Sequence, residues 1–131
     1  DNLTSDEDLQ NVLTLLRSFG QADIVTEPIL DIVGAVSGSS PAFVLMFIEA
    51  LADGAVAEGM PRKQAYDFAA QAVLGSAKMV LETKKHPGEL KDMVCSPAGT
   101  TIEGVNTLEK EGMRSAVMDA VRACIQKTRK L

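Results

Sequence analysis

A short loop of small and hydroxyl-bearing residues, 96–101, is the part of this 131-residue chain best equipped for chemistry. It reads Ser-Pro-Ala-Gly-Thr-Thr and leads directly into a helical pattern over residues 102–110. At such a junction, unpaired backbone N–H groups and the positive end of the helix dipole favour a bound anion. Thr100 and Thr101 offer N–H and O–H groups, and Gly99 lets a ligand approach the backbone. The loop therefore predicts a site for a small molecule that carries a carboxylate or a phosphate.

Three other groups of residues could also carry chemistry, and each has a simpler interpretation. Residues 37–41 form a second loop of small hydroxyl residues, and for both loops the alternative remains that the hydroxyls only cap a helix. His86 has no Ser, Cys or carboxylate at a spacing typical of a triad, so we interpret it as a solvated residue at a helix start. Glu49 and Asp53 lie one helical turn apart without further metal ligands nearby, which favours interface or capping hydrogen bonds.

The composition predicts an all-α fold with an aliphatic core. Hydrophobic residues make up 46% of the chain but aromatic residues only 4%, and most of the apolar residues are good helix formers. A net charge of -5 makes nucleic acid an unfavourable partner. The cysteines, Cys95 and Cys124, have neither metal-site nor disulfide spacing, so we expect both to be reduced and expect no bound metal.

The order of patterns along the chain indicates a series of helices with one isolated strand. Ser5 is a plausible N-cap for a helix that ends near Phe19, with Asp8 in the capping-box position. Residues 22–25 are predicted to form a short strand that has no partner elsewhere in the chain, so its sheet would belong to sequence outside this chain. Further helices are expected over residues 29–36, 42–58, 61–83, 87–93, 100–110 and 114–130. Residues 37–40 are expected to separate the helix over 29–36 from the helix over 42–58.

The helix predicted over residues 42–58 is apolar nearly all round, which a small bundle can hardly enclose. We therefore expect a helical bundle that interleaves with a second copy of the chain in an obligate homodimer. The strongly apolar run over residues 41–52 is too short to span a bilayer and contains Glu49, so a membrane is not an expected partner. No signal peptide is recognisable.

Five blocks of sequence, in order, resemble the C-terminal half of the pyrroline-5-carboxylate reductases. They are residues 35–43, 49–54, 71–78, 86–92 and 96–102, and the likeness covers nearly the whole chain. The resemblance implies a cytoplasmic enzyme of proline biosynthesis that transfers hydride from NADPH or NADH to pyrroline-5-carboxylate. It also implies that residues 1–26 are the last helix and strand of a dinucleotide-binding domain, and that residues 27–131 form a helical dimerisation and substrate-binding domain. Dimers of this family join five at a time into decamers in some members.

The resemblance also implies roles for the residues of the 96–101 loop. Ser96 falls on the substrate-binding serine, and backbone N–H groups around Gly99, Thr100 and Thr101 would receive the substrate carboxylate. The Thr101 hydroxyl would bond the ring nitrogen, which makes it the expected catalytic residue. The family usually has Gly where Ala98 stands, and this chain lacks the Gly-rich nucleotide fingerprint, so it is expected to bind no cofactor alone and to be inactive by itself.

Two other functions remain open on the sequence. The chain could be a non-catalytic helical dimerisation module whose loops only cap helices. It could also be the helical domain of another two-domain dehydrogenase, but related hydroxy acid dehydrogenases rely on a helix-borne Lys, and the residues around Lys78 do not fit that role. A proline-like ligand would separate the reductase from the dimerisation module.

Overall fold

The computed structural model describes residues 4–130, which fold as helices joined by short turns. The all-α class predicted from the sequence is confirmed. The helices are α1 (Asp6–Arg17), α2 (Glu27–Val33), α3 (Ser40–Ala57), α4 (Arg62–Thr83), α5 (Pro87–Met93), α6 (Thr100–Lys110) and α7 (Met113–Thr128), with a π-helical segment, Gly34–Ser39, between α2 and α3.

The first helix begins where its local sequence predicts. The Ser5 hydroxyl accepts a hydrogen bond from the Asp8 N–H (3.1 Å), and the Asp8 carboxylate accepts one from the Ser5 N–H (3.2 Å). These reciprocal bonds complete the predicted capping box. The hydrogen bond from the Ser5 side chain also lowers the pKa of Asp8 below its ordinary value.

The strand expected at residues 22–25 is not formed, and this part of the prediction is wrong. Residues 21–26 have no regular secondary structure in the described chain. The physical reason is that a strand exists only through hydrogen bonds to a neighbouring strand. Residues 4–130 offer it no such neighbour.

The helix break expected at residues 37–40 is also absent. Glu27–Ala57 is one continuous helix of 31 residues, in which the π-helical segment replaces the predicted loop. The serine hydroxyls do not cap a new helix but donate back along the same one, from Ser37 to the Val33 carbonyl (2.7 Å) and from Ser40 to the Val36 carbonyl. By length and composition this helix could cross a membrane, so the prediction that the apolar stretch is too short does not hold for the folded chain.

The best packed contact is between α3 and α4. Ala52, Ala65 and Ala69 are buried there, because their small side chains let the two helix backbones approach closely. This confirms the close packing predicted for the alanine-rich helix. At the other end of the chain, α6 and α7 form a second hairpin, and α7 packs across α2 and the π-helical segment, where Arg129 and Asp31 form an ion pair (3.4 Å).

A single copy of the chain leaves much of its apolar surface uncovered. Its accessible surface is 10484 Å², whereas a compact monomer of 13.9 kDa exposes about 6,700 Å². Large apolar side chains on α3 and α4 account for part of the excess, with Leu45 and Met46 66% and 68% exposed. Within residues 4–130, the helix expected to be apolar on all sides packs mainly against α4.

Candidate functional site

The 96–101 loop connects α5 to α6 through a tight turn. The Gly99 N–H donates to the Ser96 carbonyl (3.0 Å), which closes the turn across Pro97 and Ala98. Ala98 has a φ of 58°, in the left-handed region, as the third residue of a type II turn requires. Glycine is the usual residue at such a φ because it has no Cβ atom, so Ala98 is an unusual residue at this position.

Gly99 follows the turn and serves as the N-cap of α6 in an extended conformation. A Cβ atom at this position would overlap the Ser96 hydroxyl oxygen and lie 3.1 Å from the Ser96 carbonyl oxygen. The Ser96 side chain therefore folds over Gly99 and towards the start of α6. Any larger residue at position 99 would displace the hydroxyl that the sequence assigned to ligand binding.

The start of α6 has no side-chain cap, so its first N–H groups are open to a ligand. The predicted alternative, that the hydroxyls of this loop only cap the helix, is therefore wrong. The Gly99 N–H is already used by the turn, which leaves those of Thr100, Thr101 and Ile102 as the donors at the helix start. Both threonines are exposed.

The hydroxyls of Thr100 and Thr101 differ from those of threonines deeper in the helices. The Thr107 hydroxyl, two turns further along α6, donates to the Glu103 carbonyl (3.0 Å), and Thr83 and Thr128 form the same kind of bond. A threonine in the first turn has no helical carbonyl four residues before it. In the part of the chain that the structure describes, neither hydroxyl of the pair has a protein partner. The arrangement suits a small anion with an adjacent hydrogen-bonding atom.

His86 lies ten residues before the loop, at the start of α5. Its Nδ1 accepts a hydrogen bond from the Gly88 N–H (3.0 Å), so the side chain is the N-cap of α5. The sequence placed His86 correctly at a helix start, but it missed the hydrogen bond that makes the ring part of the backbone structure. Within residues 4–130 no Ser or Cys side chain bonds to the ring, so the structure shows no triad.

The remaining sequence candidates lie apart from the loop or serve the fold. Asp53 pairs with Arg62 across the turn between α3 and α4, and this hydrogen bond raises the pKa of Arg62 above its ordinary value. The guanidinium also lies 5.5 Å from the centre of the Tyr66 ring. Cys95 and Cys124 are half-buried free thiols. Among the described residues, no three or more His, Cys, Asp or Glu side chains come together as a metal site would require.

Sequence reasoning did not identify an apolar groove of about 690 Å³ along α5, α6 and α7. Its floor is mainly apolar, and three charged residues, Lys91, Glu109 and Arg114, lie on its lining. None of residues 96–101 contributes to it, so it is a separate feature from the loop. The apolar spacing of Val105 and Leu108 on α6 was the signal that could have indicated it.

Comparison with known proteins connects this architecture to one enzyme family. The family model described as pyrroline-5-carboxylate reductase dimerisation matches residues 27–131. The pyrroline-5-carboxylate reductase of Escherichia coli (strain K12) is 61% identical over 129 residues, which cover 98% of this chain and 48% of the relative. That of Methanosarcina acetivorans is 54% identical over 125 residues, or 95% of this chain and 46% of the relative.

Solved structures show the same likeness. The 1-pyrroline-5-carboxylate reductase of Streptococcus pyogenes has a TM-score of 0.93 and 37% identity, with 100% of this chain and 51% of that one covered. The pyrroline carboxylate reductase of Plasmodium falciparum, described with NADP bound, has a TM-score of 0.92 and 33% identity, covering 99% and 52%. The chain spans about half the length of the relatives it matches. On this sequence and structural likeness, the chain belongs to the pyrroline-5-carboxylate reductase family, in the region that the family model describes as dimerisation.

Proposed function

We propose that this chain is the dimerisation and substrate-binding part of a cytoplasmic reductase that converts 1-pyrroline-5-carboxylate to L-proline with NADPH or NADH. The observation that carries the proposal is the family match over residues 27–131, together with 61% identity to the Escherichia coli enzyme of that name. The structure adds an open helix start of suitable chemistry in the 96–101 loop.

Residues 27–131 form the helical domain in this proposal, and residues 1–26 belong to the end of the nucleotide-binding domain. Residues 1–3 lie outside the described part of the chain. Helix α1 carries exposed apolar side chains, among them Leu15 and Leu16, which are 65% and 40% exposed. Such a face would pack against the rest of a nucleotide-binding domain. The exposure of these side chains is therefore consistent with a helix from the edge of that domain.

The nicotinamide cofactor would be held by that other domain. Residues 4–130 contain no strand, so they cannot form the Gly-rich strand-to-helix turn that binds a dinucleotide. The described residues do not fit the nucleotide, and we assign none of them to it. The cofactor supplies hydride in the proposed enzyme, and this chain supplies the place where the substrate is held.

A second copy of the chain is the proposed cover for the open apolar surface. The surface in excess of a compact monomer is about 3,800 Å² per copy, the difference between 10484 Å² and about 6,700 Å². The exposed face of α1 accounts for part of this excess, and the rest, which includes Leu45 and Met46 of α3, is the surface proposed for a partner whose helices interleave with those of this copy. Such a dimer would also surround the Glu27–Ala57 helix with protein, so a membrane is not needed. Assembly of five dimers into a decamer is the further expectation from the family.

The 96–101 loop would hold the substrate by its carboxylate. The N–H groups of Thr100 and Thr101 point out of the helix start, where the helix dipole favours an anion, and the Ser96 hydroxyl lies beside them. Gly99 leaves room for the Ser96 hydroxyl beside the helix start, because a Cβ atom at this position would overlap that oxygen. These features support a carboxylate bound at the start of α6.

The Thr101 hydroxyl would then orient the ring nitrogen. The substrate C=N bond is readily protonated, and an iminium carbon accepts hydride without a strong enzymatic acid or base. Catalysis would consist mainly of holding the reacting carbon in the correct position. A free hydroxyl suits this role, because it can accept a hydrogen bond from the protonated nitrogen and donate one to the carboxylate.

The test is a hybrid enzyme in which residues 27–131 replace the matching part of the Escherichia coli reductase. We expect NAD(P)H-dependent formation of L-proline, and we expect Thr101→Ala to lower kcat/KM by about one to two powers of ten through loss of one or two hydrogen bonds in the transition state. Thr107→Ala, on the same helix but bonded to Glu103, is the matched control and should change kcat/KM by less than about twofold.

An active hybrid with normal Thr101→Ala kinetics would remove Thr101 from the site. A stable, dimeric hybrid without activity would favour the alternative of a non-catalytic dimerisation module. In the isolated chain, saturable shifts of the Gly99, Thr100 and Thr101 amide signals on titration with L-proline would separate the two functions.

A further inference from the structure

The imidazole of His86 caps the first turn of α5. Its Nδ1 accepts the Gly88 N–H at 3.0 Å, and His86 itself has the extended conformation of an N-cap. An imidazole nitrogen can accept a hydrogen bond only when it carries no proton. The observed bond therefore requires the neutral ring with its proton on Nε2.

The His86 ring packs closely against Gly88. A Cβ atom at position 88 would lie 3.0 Å from the Nδ1 atom and 3.3 Å from the Cε1 atom of His86. The ring thus occupies the space that any side chain at this position would need. His86 and Gly88 act together as one capping unit.

Helix α5 links this capping unit to the 96–101 loop. It has seven residues, too few to be stable in isolation, and within the described chain Leu90 is its buried residue. Its last carbonyls, from Lys91 and Asp92, accept the N–H groups of Val94 and Cys95, both at 3.1 Å. Ser96 follows immediately. A helix that loses its cap at one end therefore loosens the residues that anchor the loop at the other.

We propose that His86 is a positioning residue, whose neutral imidazole caps α5 and thereby holds the 96–101 loop in its binding conformation. The inference rests on the substrate loop proposed above. His86 does not touch the substrate in this proposal, and its effect passes through α5.

The cap requires that the groups around His86 leave its Nδ1 free to accept the Gly88 N–H. Lys84 and Lys85 precede the ring, and Glu89 of α5 forms an ion pair with Lys85 (2.6 Å). The α4 residues that line the groove beside α5, which are Ser76, Met79 and Val80, carry no ionisable group. An imidazolium cannot accept the Gly88 N–H, and it would place a positive charge at the positive end of a helix.

The test compares the chain with His86→Ala and His86→Asn by NMR of backbone amides at about pH 8, where histidine is neutral. Asparagine is a strong N-cap residue that does not titrate in this range, so it should restore what alanine loses. We expect His86→Ala to shift the amide signals of Gly88, Gly99 and Thr100 and to weaken L-proline binding about threefold to tenfold, and His86→Asn to stay within about twofold of the unchanged chain.

Rescue by His86→Asn supplies the readout that a merely structural residue would not change. The Gly99 and Thr100 amides should shift in His86→Ala and stay at the positions of the unchanged chain in His86→Asn, because the asparagine side chain caps the Gly88 N–H in place of the ring. Gly88→Ala, which displaces the ring, should reproduce the shifts of His86→Ala at unchanged helical content.

Loop amides that are unchanged in His86→Ala, or that shift equally in His86→Ala and His86→Asn, would overturn the proposal. The comparison without ligand decides the role of His86 by itself. Failure of L-proline to bind any of the three chains would instead contradict the proposed substrate loop.

Discussion

In the α3–α4 hairpin three alanines close the gap between two helices, whereas in the 96–101 loop one backbone hydrogen bond closes a turn. The hairpin presents large apolar side chains outward, such as Met46. The loop presents hydroxyl and N–H groups outward at the start of α6. An exposed apolar surface suits another protein surface, whereas exposed hydroxyl and N–H groups suit a small polar ligand. The type of group left exposed thus distinguishes an assembly surface from a binding site.

The largest expected effect comes from a charge on the outer face of the hairpin. Met46→Glu places a carboxylate in the proposed dimer interface, where an unpaired buried charge costs about 3–5 kcal/mol, so the Kd of dimerisation should rise by at least about a hundredfold. Sedimentation equilibrium measures this Kd. Gln64→Glu, on the exposed first turn of α4, is the control and should leave it unchanged. An unaltered dimer in Met46→Glu would exclude this face from the interface.

A smaller effect is expected inside the hairpin. Ala52 is fully buried between the helices, so Ala52→Leu must push α3 and α4 apart. The free energy of unfolding should fall by about 1–3 kcal/mol, as overpacked cores typically show. Urea unfolding followed by circular dichroism measures the change. Ala57→Leu, at the exposed end of α3, is the matched control. Equal stability of the two variants would mean that the contact can adapt and does not define the hairpin.

The smallest effect is expected in the loop and has the opposite sign. Ala98 holds a left-handed conformation at φ 58°, which glycine adopts without strain. Ala98→Gly should therefore raise the free energy of unfolding by about 0.5–1 kcal/mol, a net value because glycine also gains freedom in the unfolded chain. Ala98→Val, with a branched side chain, should lower it. Thermal unfolding of both variants tests the turn, and equal melting temperatures would show that the turn carries no strain.

The parts of the fold predicted well are those with a local cause. The Ser5–Asp8 capping box lies three residues apart in sequence, and the stop at Gly112 rests on a φ of 76° that glycine adopts easily. The bounds of α6, Thr100–Lys110, also agree with the prediction. Local signals suffice here because the groups that form each cap or turn are neighbours in the chain.

The parts predicted wrongly depend on distant groups or on a choice between two local bonds. Residues 37–40 contain the small and hydroxyl residues of a break, yet the Ser37 hydroxyl returns its hydrogen bond to Val33 and the helix continues. A serine can bond forward to cap a helix or backward within one, and sequence does not decide between them. The strand at residues 22–25 failed because no partner strand lies in the described chain.

Only part of the candidate site could likewise be predicted from the sequence. The sequence identified the 96–101 loop and the four residues proposed to bind substrate, and their binding role remains a prediction. It did not reveal that the turn uses the Gly99 N–H, nor that the His86 ring is bonded to Gly88. Both facts are hydrogen-bond assignments, which require the positions of donor and acceptor atoms.

By itself, the sequence determined the helical class, the helix starts and stops outside residues 37–40, the loop with its chemistry, and the excess of apolar surface that calls for a second copy. Each of these follows from composition or from residues within one helical turn of each other. Only the tertiary structure decided that Glu27–Ala57 is one helix, that its α4 side is the enclosed one, and that the α6 start is left uncapped. These outcomes depend on which of several possible hydrogen-bonding or packing partners each group contacts, and only the folded chain brings those partners together.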